Sequence, residues 1–172
     1  MSKYRFLVTG GSAIALLALL SAPGYAHGNA SDDAKATIGG AQVSIDYGRP
    51  SLKGRDPLKM IQPGQLWRLG ADKTTTLESD KDLDFGGTRV PKGKYILLAR
   101  YTGPGKWSLV VSTKSVFQYE PSAKVAEVPL TFREENDSVE TLRIQLSAQG
   151  DNGLVEVAWG KLRLAGSFSV AK

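Results

Sequence analysis

An all-β fold, an antiparallel β-sandwich or flattened barrel of about nine or ten strands, is what this sequence predicts, and three observations carry it. Apolar and polar residues alternate at period two in several runs, the pattern of a strand with one buried face. Turn residues punctuate those runs, with 19 glycines and 8 prolines in 172 residues. After position 26, no window of about 11 residues keeps a helical apolar stripe. Frequent turns without crossover helices imply antiparallel pairing.

The first element precedes the fold. Lys3 and Arg5 form a positive head, the apolar run Phe6 to Leu20 follows, and Ser21-Ala22-Pro23-Gly24-Tyr25-Ala26 ends it with small residues. That is the head, core and cleavage pattern of a secretory signal peptide over 1–26, an N-terminal signal helix cut after Ala26 or Ala22. Its apolar core is about 15 residues, short of the roughly 20 that span a bilayer, so no membrane span is expected after removal. The expected location is periplasmic or extracellular. Cleavage after Ala26 leaves 146 residues, and losing Lys3 and Arg5 lowers the formal charge from +5 to +3. A mature charge of +3 with no basic run bearing interleaved aromatics gives no reason to expect nucleic acid as a partner.

Residues 27–36 (HGNASDDAKA) are small and polar and read as a flexible linker, and 37–172 as a single β domain. Within it, Val43, Ile45 and Tyr47 form the first alternating run. Asp56 to Ile61 (DPLKMI) has room for one helical turn after Pro57. Gly86-Gly87 joins two short strands as a hairpin, and Gly103-Pro104-Gly105 turns between two longer ones. Tyr95 to Tyr101 and Trp107 to Val111 are more continuously apolar and read as central strands. Pro129 pushes Val125 to Phe132 toward an edge or a bulge. Leu142, Ile144 and Leu146, then Val155, Val157 and Trp159, form two strong strands about a turn at Asp151-Asn152-Gly153.

The composition removes several chemistries. With no cysteine there is no disulfide scaffold, thiolate metal site or cysteine nucleophile, and the chain can fold in an oxidising compartment. The single histidine, His27, lies outside the predicted domain, which rules out a two-imidazole site and Ser-His-Asp catalysis there. Gly87 to Lys94 superficially resembles a phosphate loop, but the spacing is off by one and a strand follows instead of a helix. No metal site and no cofactor are predicted. Paired carboxylates remain as a catalytic option, with Asp46, Asp72, Glu78, Asp80 and Asp82 close in sequence. Solvated faces and local ion pairs account for them more simply, and no catalytic residue is assigned.

Two segments carry more special residues than a plain sandwich needs: Asp46 to Arg55 (DYGRPSLKGR) and Gly64 to Leu77 (GQLWRLGADKTTTL). They bring together Tyr47, Arg49, Arg55, Trp67, Arg68 and Asp72 as the candidate site. Within a strand Trp67 and Arg68 face opposite ways, so if Trp67 enters the core, Arg68 leaves it or lines a pocket on the other face. Thr37-Ile38-Gly39, Val43 to Arg55, Trp67 to Thr75, Gly86-Gly87, Pro91-Lys92-Gly93-Lys94-Tyr95-Ile96-Leu97 and Trp107 to Val111 closely resemble a family of secreted bacterial proteins, domain-of-unknown-function family 2911, from roughly Thr37 to Val170. The chain departs from the family pattern at Asp72-Lys73 and at Asp56 to Ile61. The resemblance implies a signal-bearing, mostly β domain and brings no activity with it.

Two readings of the cluster compete. In one, Arg49, Arg55 or Arg68 pairs with Asp46 or Asp72, hydrogen-bonds loop carbonyls and pins the Gly48 to Gly64 connection. In the other, the arginines present donors to an anionic or polyhydroxylated ligand beside Tyr47 or Trp67. The function expected is a non-catalytic binding module for a small ligand, glycan or envelope protein. The alternatives are a carboxylate-dependent polysaccharide hydrolase and a purely structural envelope component. Two carboxylates facing one cleft about 5–10 Å apart favour the hydrolase, and an Arg/Trp-lined pocket without such a pair favours binding.

Overall fold

The computed structural model of the protein describes residues 29–172. The signal segment 1–26 and His27 lie outside them. The described chain forms ten strands, one helical turn and one 3-10 turn at Pro121–Ala123. In chain order the strands are β1 (Ala30–Ile38), β2 (Ala41–Arg49), β3 (Leu66–Trp67), β4 (Thr76–Ser79), β5 (Leu83–Phe85), β6 (Thr88–Val90), β7 (Gly93–Gly103), β8 (Lys106–Ser112), β9 (Lys124–Gln149) and β10 (Asn152–Val170). They build one antiparallel sheet in the order β1-β2-β4-β7-β8-β9-β10-β5-β6, with β3 beside β7. The sheet is not closed. Its inward faces share a single core that runs from Ile38 and Val43 through Leu97 and Leu109 to Leu142, Val157 and Phe168. Among the described residues no helix is long and apolar enough to cross a membrane.

Local chemistry explains most element boundaries. The helical turn α1 (Pro57–Met60) starts where expected, with the Asp56 carboxylate accepting the Leu58 N–H at 3.0 Å and Pro57 in the first turn. β7 and β8 are central, and Leu98 and Val110 are buried on the face opposite the main core, as continuous apolar runs require. Pro129 pairs with Ser108 of β8, and β10 joins β9 only from Thr131 onward, so the proline occupies a stretch with β8 as its ladder partner. The β9–β10 hairpin turns at Gly150 and Asp151, one step earlier than the sequence suggested, because Gly150 takes the left-handed φ of 65°.

The linker expected over residues 27–36 gives way to a strand from Ala30. β1 pairs along its whole length with β2, from Ala30 opposite Arg49 to Ile38 opposite Ala41. Its inward positions are Asp32, Ala34, Ala36 and Ile38, a genuine period-two pattern whose small and acidic members carry little hydrophobicity. Pairing with β2, not apolar content, makes this segment a strand.

One edge problem shapes the whole architecture. β8 covers β9 only as far as Leu130, which leaves the same edge of β9 beyond it without a strand partner. The β2 end of the sheet comes round to that edge. The Tyr47 hydroxyl accepts the Ile144 N–H at 3.0 Å and donates to the Ile144 carbonyl at 3.3 Å. Arg49 Nε donates to Leu142 O at 3.2 Å, while Leu142 N–H reaches Pro50 O at 3.0 Å and Leu52 N–H reaches Glu140 O at 2.8 Å. Gly39 N–H closes the far end on Gly150 O at 3.1 Å. Two side chains thus supply hydrogen bonds that a strand would have made.

Burial pushes the Tyr47 hydroxyl above the ordinary tyrosine range, the Ile144 N–H opposing the shift and the Asp32 charge adding to it. A raised acid keeps its full stabilising contribution below the unfolded pKa, near 10, and loses it as pH rises toward the native value. Tyr47→Phe is expected to cost about 1–3 kcal/mol in urea unfolding at pH 7, since two buried backbone groups lose their partner. The same variant should show a shallower loss of stability above about pH 10 than the native chain.

Candidate functional site

The six candidate residues separate into two groups. Tyr47 and Arg49 belong to the seam just described, and Arg49 also pairs with Asp32 at 3.2 Å. Arg55, Trp67 and Arg68 line one cavity of about 370 Å³, with Trp159, Met60 and Gln65 among its other walls. Asp72 stands beside it: its Oδ2 accepts the backbone N–H of Asn29 at 2.7 Å and the Asn29 side-chain amide at 3.0 Å, and Asn29 lines the cavity. Those two bonds hold the Asp72 carboxyl below the ordinary aspartate range, with Arg68 adding a smaller push the same way.

The aromatic cluster is built from four strands. Trp67 stacks on Trp159 of β10 at 5.8 Å between ring centres and 13° between planes, and meets Trp107 of β8 edge-on at 6.4 Å. Tyr101 of β7 closes on Trp107 at 4.6 Å. This stack fastens the two-residue strand β3 to the core, which its ladder with Ala99 and Arg100 alone would hold weakly. Trp67 enters the stack half-buried, and Arg68 lines the same cavity instead of a pocket on the other face, because β3 ends at Trp67 and strand alternation does not extend to Arg68.

Behind Arg68 the chain is strained. Leu69 is fully buried at a left-handed φ of 53°, and Asp72 sits at 60°. For a branched side chain such a conformation costs of order 1–3 kcal/mol and persists only where surroundings impose it. Here the buried Thr75 hydroxyl donates to the Leu69 carbonyl at 2.9 Å. Gly48 allows the loop to touch β2: a Cβ there would lie 1.8 Å from Ala71 O. The seam and the cavity loop therefore share a contact that only glycine permits.

The expected ion pairs form with other partners. Asp46 pairs with Lys73, Glu78 with Lys94 at 3.4 Å and Asp82 with Arg89 at 2.8 Å, while Asp80 accepts the Gln42 N–H at 2.8 Å. Arg49 pairs with Asp32, not with Asp46 or Asp72, and all three arginines also donate to carbonyls. Arg55 donates to Leu52 O and Ser51 O, both at 2.9 Å, Arg68 to Gly70 O at 3.1 Å, and Arg49 to Leu142 O. The Lys92 N–H and then Arg89 keep Asp82 below the ordinary aspartate range. No Asp or Glu among the described residues lines the Arg/Trp cavity. Among the described residues no group of three or more His, Cys, Asp or Glu is placed to hold a metal ion.

Several participants were not singled out from the sequence. Trp159 reads as an ordinary inward strand residue, yet its buried indole N–H has no acceptor among the described residues. Phe117 is 81% exposed, and Arg68 lies over its ring at 5.9 Å. Its loop is tied down at Tyr119, whose hydroxyl accepts from Arg100 at 2.9 Å. Arg100 also bonds Glu127 at 3.0 Å, and burial of Glu127 is outweighed by Ser108, Lys124 and Arg100, so its carboxyl stays below the ordinary range. An isolated aromatic in a polar loop, flanked by Tyr119, was the available signal.

A family model described as "Protein of unknown function (DUF2911)" matches residues 29–168. No curated protein and no solved structure gives a significant match. Because Gly48 mediates the contact between the seam and this loop, Gly48→Ala is expected to destabilise the chain by at least about 3 kcal/mol, read from the shift of its urea unfolding midpoint.

Proposed function

This chain belongs to DUF2911, a family of proteins of unknown function, and we propose that it is an exported, non-catalytic binding module whose ligand site is the Arg55/Trp67/Arg68 cavity. The observation that carries this reading is the make-up of the cavity wall. Two arginines and two stacked tryptophans line about 370 Å³, and among the described residues no carboxylate does. That volume lies at the small end of ligand pockets, which combine apolar walls with a few placed polar groups. A glycosidase would need two carboxyl groups across a cleft, one with a raised pKa. The five acids suggested by the sequence are each held by a donor or cation, and Asp72 and Asp82 are shifted downward.

The other depressions offer less. One of about 290 Å³ on β9 and β10 interleaves Arg133, Arg143 and Arg163 with Glu135, Asp137 and Glu156, so its charges largely answer one another. A wider one of about 580 Å³ near Asp84, Arg89 and Lys172 is likewise lined by both signs. Neither has an aromatic wall.

A thermal-shift screen of the chain against anions and glycans separates the two groups of candidate residues. Arg68→Ala should abolish a ligand shift while changing the unfolding temperature little. Arg49→Ala, which breaks the seam, should lower that temperature by roughly 4–8 °C for a loss of about 2 kcal/mol, yet keep the ligand shift. Loss of the shift in both variants, or in neither, would count against the assignment. Export is read from intact mass after bacterial expression: the product should begin at His27 or Pro23 in the extracytoplasmic fraction, and a cytoplasmic chain beginning at Met1 would overturn that part.

A further inference from the structure

Taking the cavity as the binding site, we infer that its ligand is a small organic anion, a carboxylate or phosphate group carried on an apolar body. The first support is a surplus of donors. Arg68 uses Nε on Gly70 O, and neither of its terminal nitrogens has an acceptor among the described residues. Arg55 uses Nε and one terminal nitrogen on carbonyls, which leaves the other terminal nitrogen free in the same sense. Trp159 contributes a buried indole N–H that also lacks an acceptor, a rare state for a buried donor that calls for an explanation.

Acceptors on this wall are few. The Gln65 side-chain oxygen already accepts the Gln62 N–H at 2.9 Å, Asp72 beside the cavity is engaged by Asn29, and the Asn29 amide oxygen is the side-chain acceptor left on the wall without a donor among the described residues. A sugar hydroxyl can accept from these groups but also brings a donor of its own, for which this wall offers few acceptors. A carboxylate or phosphate is acceptor-rich and matches guanidinium groups in both charge and geometry. The second support is where exposed apolar surface lies. Met60 and Phe117 are the large hydrophobic side chains left exposed among the described residues. Met60 lines the cavity and Phe117 packs against the guanidinium of Arg68, so both flank one site. With half-buried Trp67 they form an apolar bed beside the cationic groups, which suits a ligand that is anionic at one end only.

Isothermal titration of the full chain at low salt with matched probes tests this: 3-phenylpropionate, 3-phenylpropyl phosphate, neutral 3-phenylpropanol, inorganic phosphate and a neutral disaccharide. The anionic phenyl probes should bind at least about tenfold more tightly than phenylpropanol, since a charge-assisted hydrogen bond is worth about that factor, and also more tightly than inorganic phosphate, which lacks the apolar body. Arg68→Gln should remove that advantage and keep phenylpropanol binding, Arg68→Lys should restore part of it, and Arg133→Gln, in the separate depression on β9 and β10, should change nothing. If Arg68→Gln fails to fold, the native chain still decides. Affinity for phenylpropionate should fall several-fold between about 50 and 500 mM salt while that for phenylpropanol holds. Equal binding of phenylpropanol and phenylpropionate, or binding of the disaccharide alone, would overturn the anion inference and leave the binding-module reading standing. Binding of no probe would overturn the inference, and only if the thermal-shift screen is also blank does the module reading fall with it.

Discussion

A strand that outruns its neighbour leaves backbone groups facing nothing, and the long strand β9 creates that situation beyond Leu130. Buried N–H and C=O groups must find partners, and here the partners come from the far end of the same sheet. Ile144 is satisfied on both its N–H and its carbonyl by one tyrosine hydroxyl, and Leu142 by the Arg49 guanidinium and the Pro50 carbonyl. Everything attached to β2 takes its position from that seam. β1 lies along β2, and the Pro50 to Leu52 stretch is pinned against Glu140 and Thr141. Arg55 then ties its own loop back onto Ser51 and Leu52. Through the close approach of Gly48 to Ala71, the strained turn behind the cavity is set by the same constraint.

The cavity shows what such a scaffold can support. A two-residue strand would not hold a tryptophan in place by its ladder, but stacking against Trp159 and Trp107 does. β3 ends at Trp67, so Arg68 is released from strand alternation and lines the same cavity as the tryptophan, and the left-handed Leu69 turns the chain back so that Gly70 O caps the guanidinium. The strain at Leu69 is offset by burial of its side chain and by the Thr75 hydroxyl. The result is a rigidly backed arginine with unused donors, the preorganisation that binding sites need.

Much of the fold could be read directly. The runs at Val43 to Tyr47, Leu142 to Leu146 and Val155 to Trp159 are strands with the predicted faces inward, because period-two hydrophobicity reports burial. Residues 30–36 were legible only as polar chain, since their inward positions are two alanines and an aspartate and their strand state comes from pairing with β2. The site was legible as an unusual cluster and not as a geometry. Local sequence marks Tyr47, Arg49, Arg55 and Arg68 alike. Only the path of β9, about 90 residues downstream of Tyr47, separates the two that mend an edge from the two that face a cavity. Trp159 escaped notice for the same reason: an inward tryptophan looks like any other core residue until its N–H is found without an acceptor.

By itself the sequence determined the class of fold, the turn chemistry, the absence of cysteine and the lone histidine, because these depend on residue identity and short-range periodicity. It also marked family membership through runs of adjacent residues. The tertiary structure decided which polar residues are structural and which are presented, since that depends on contacts between segments far apart in the chain. A hydroxyl becomes a ladder partner only when an unpaired strand edge lies within 3.3 Å of it, and an arginine is left with free donors only when no carboxylate reaches it. Neither condition is a property of the residue or its neighbours in sequence; both follow from how the sheet comes round on itself.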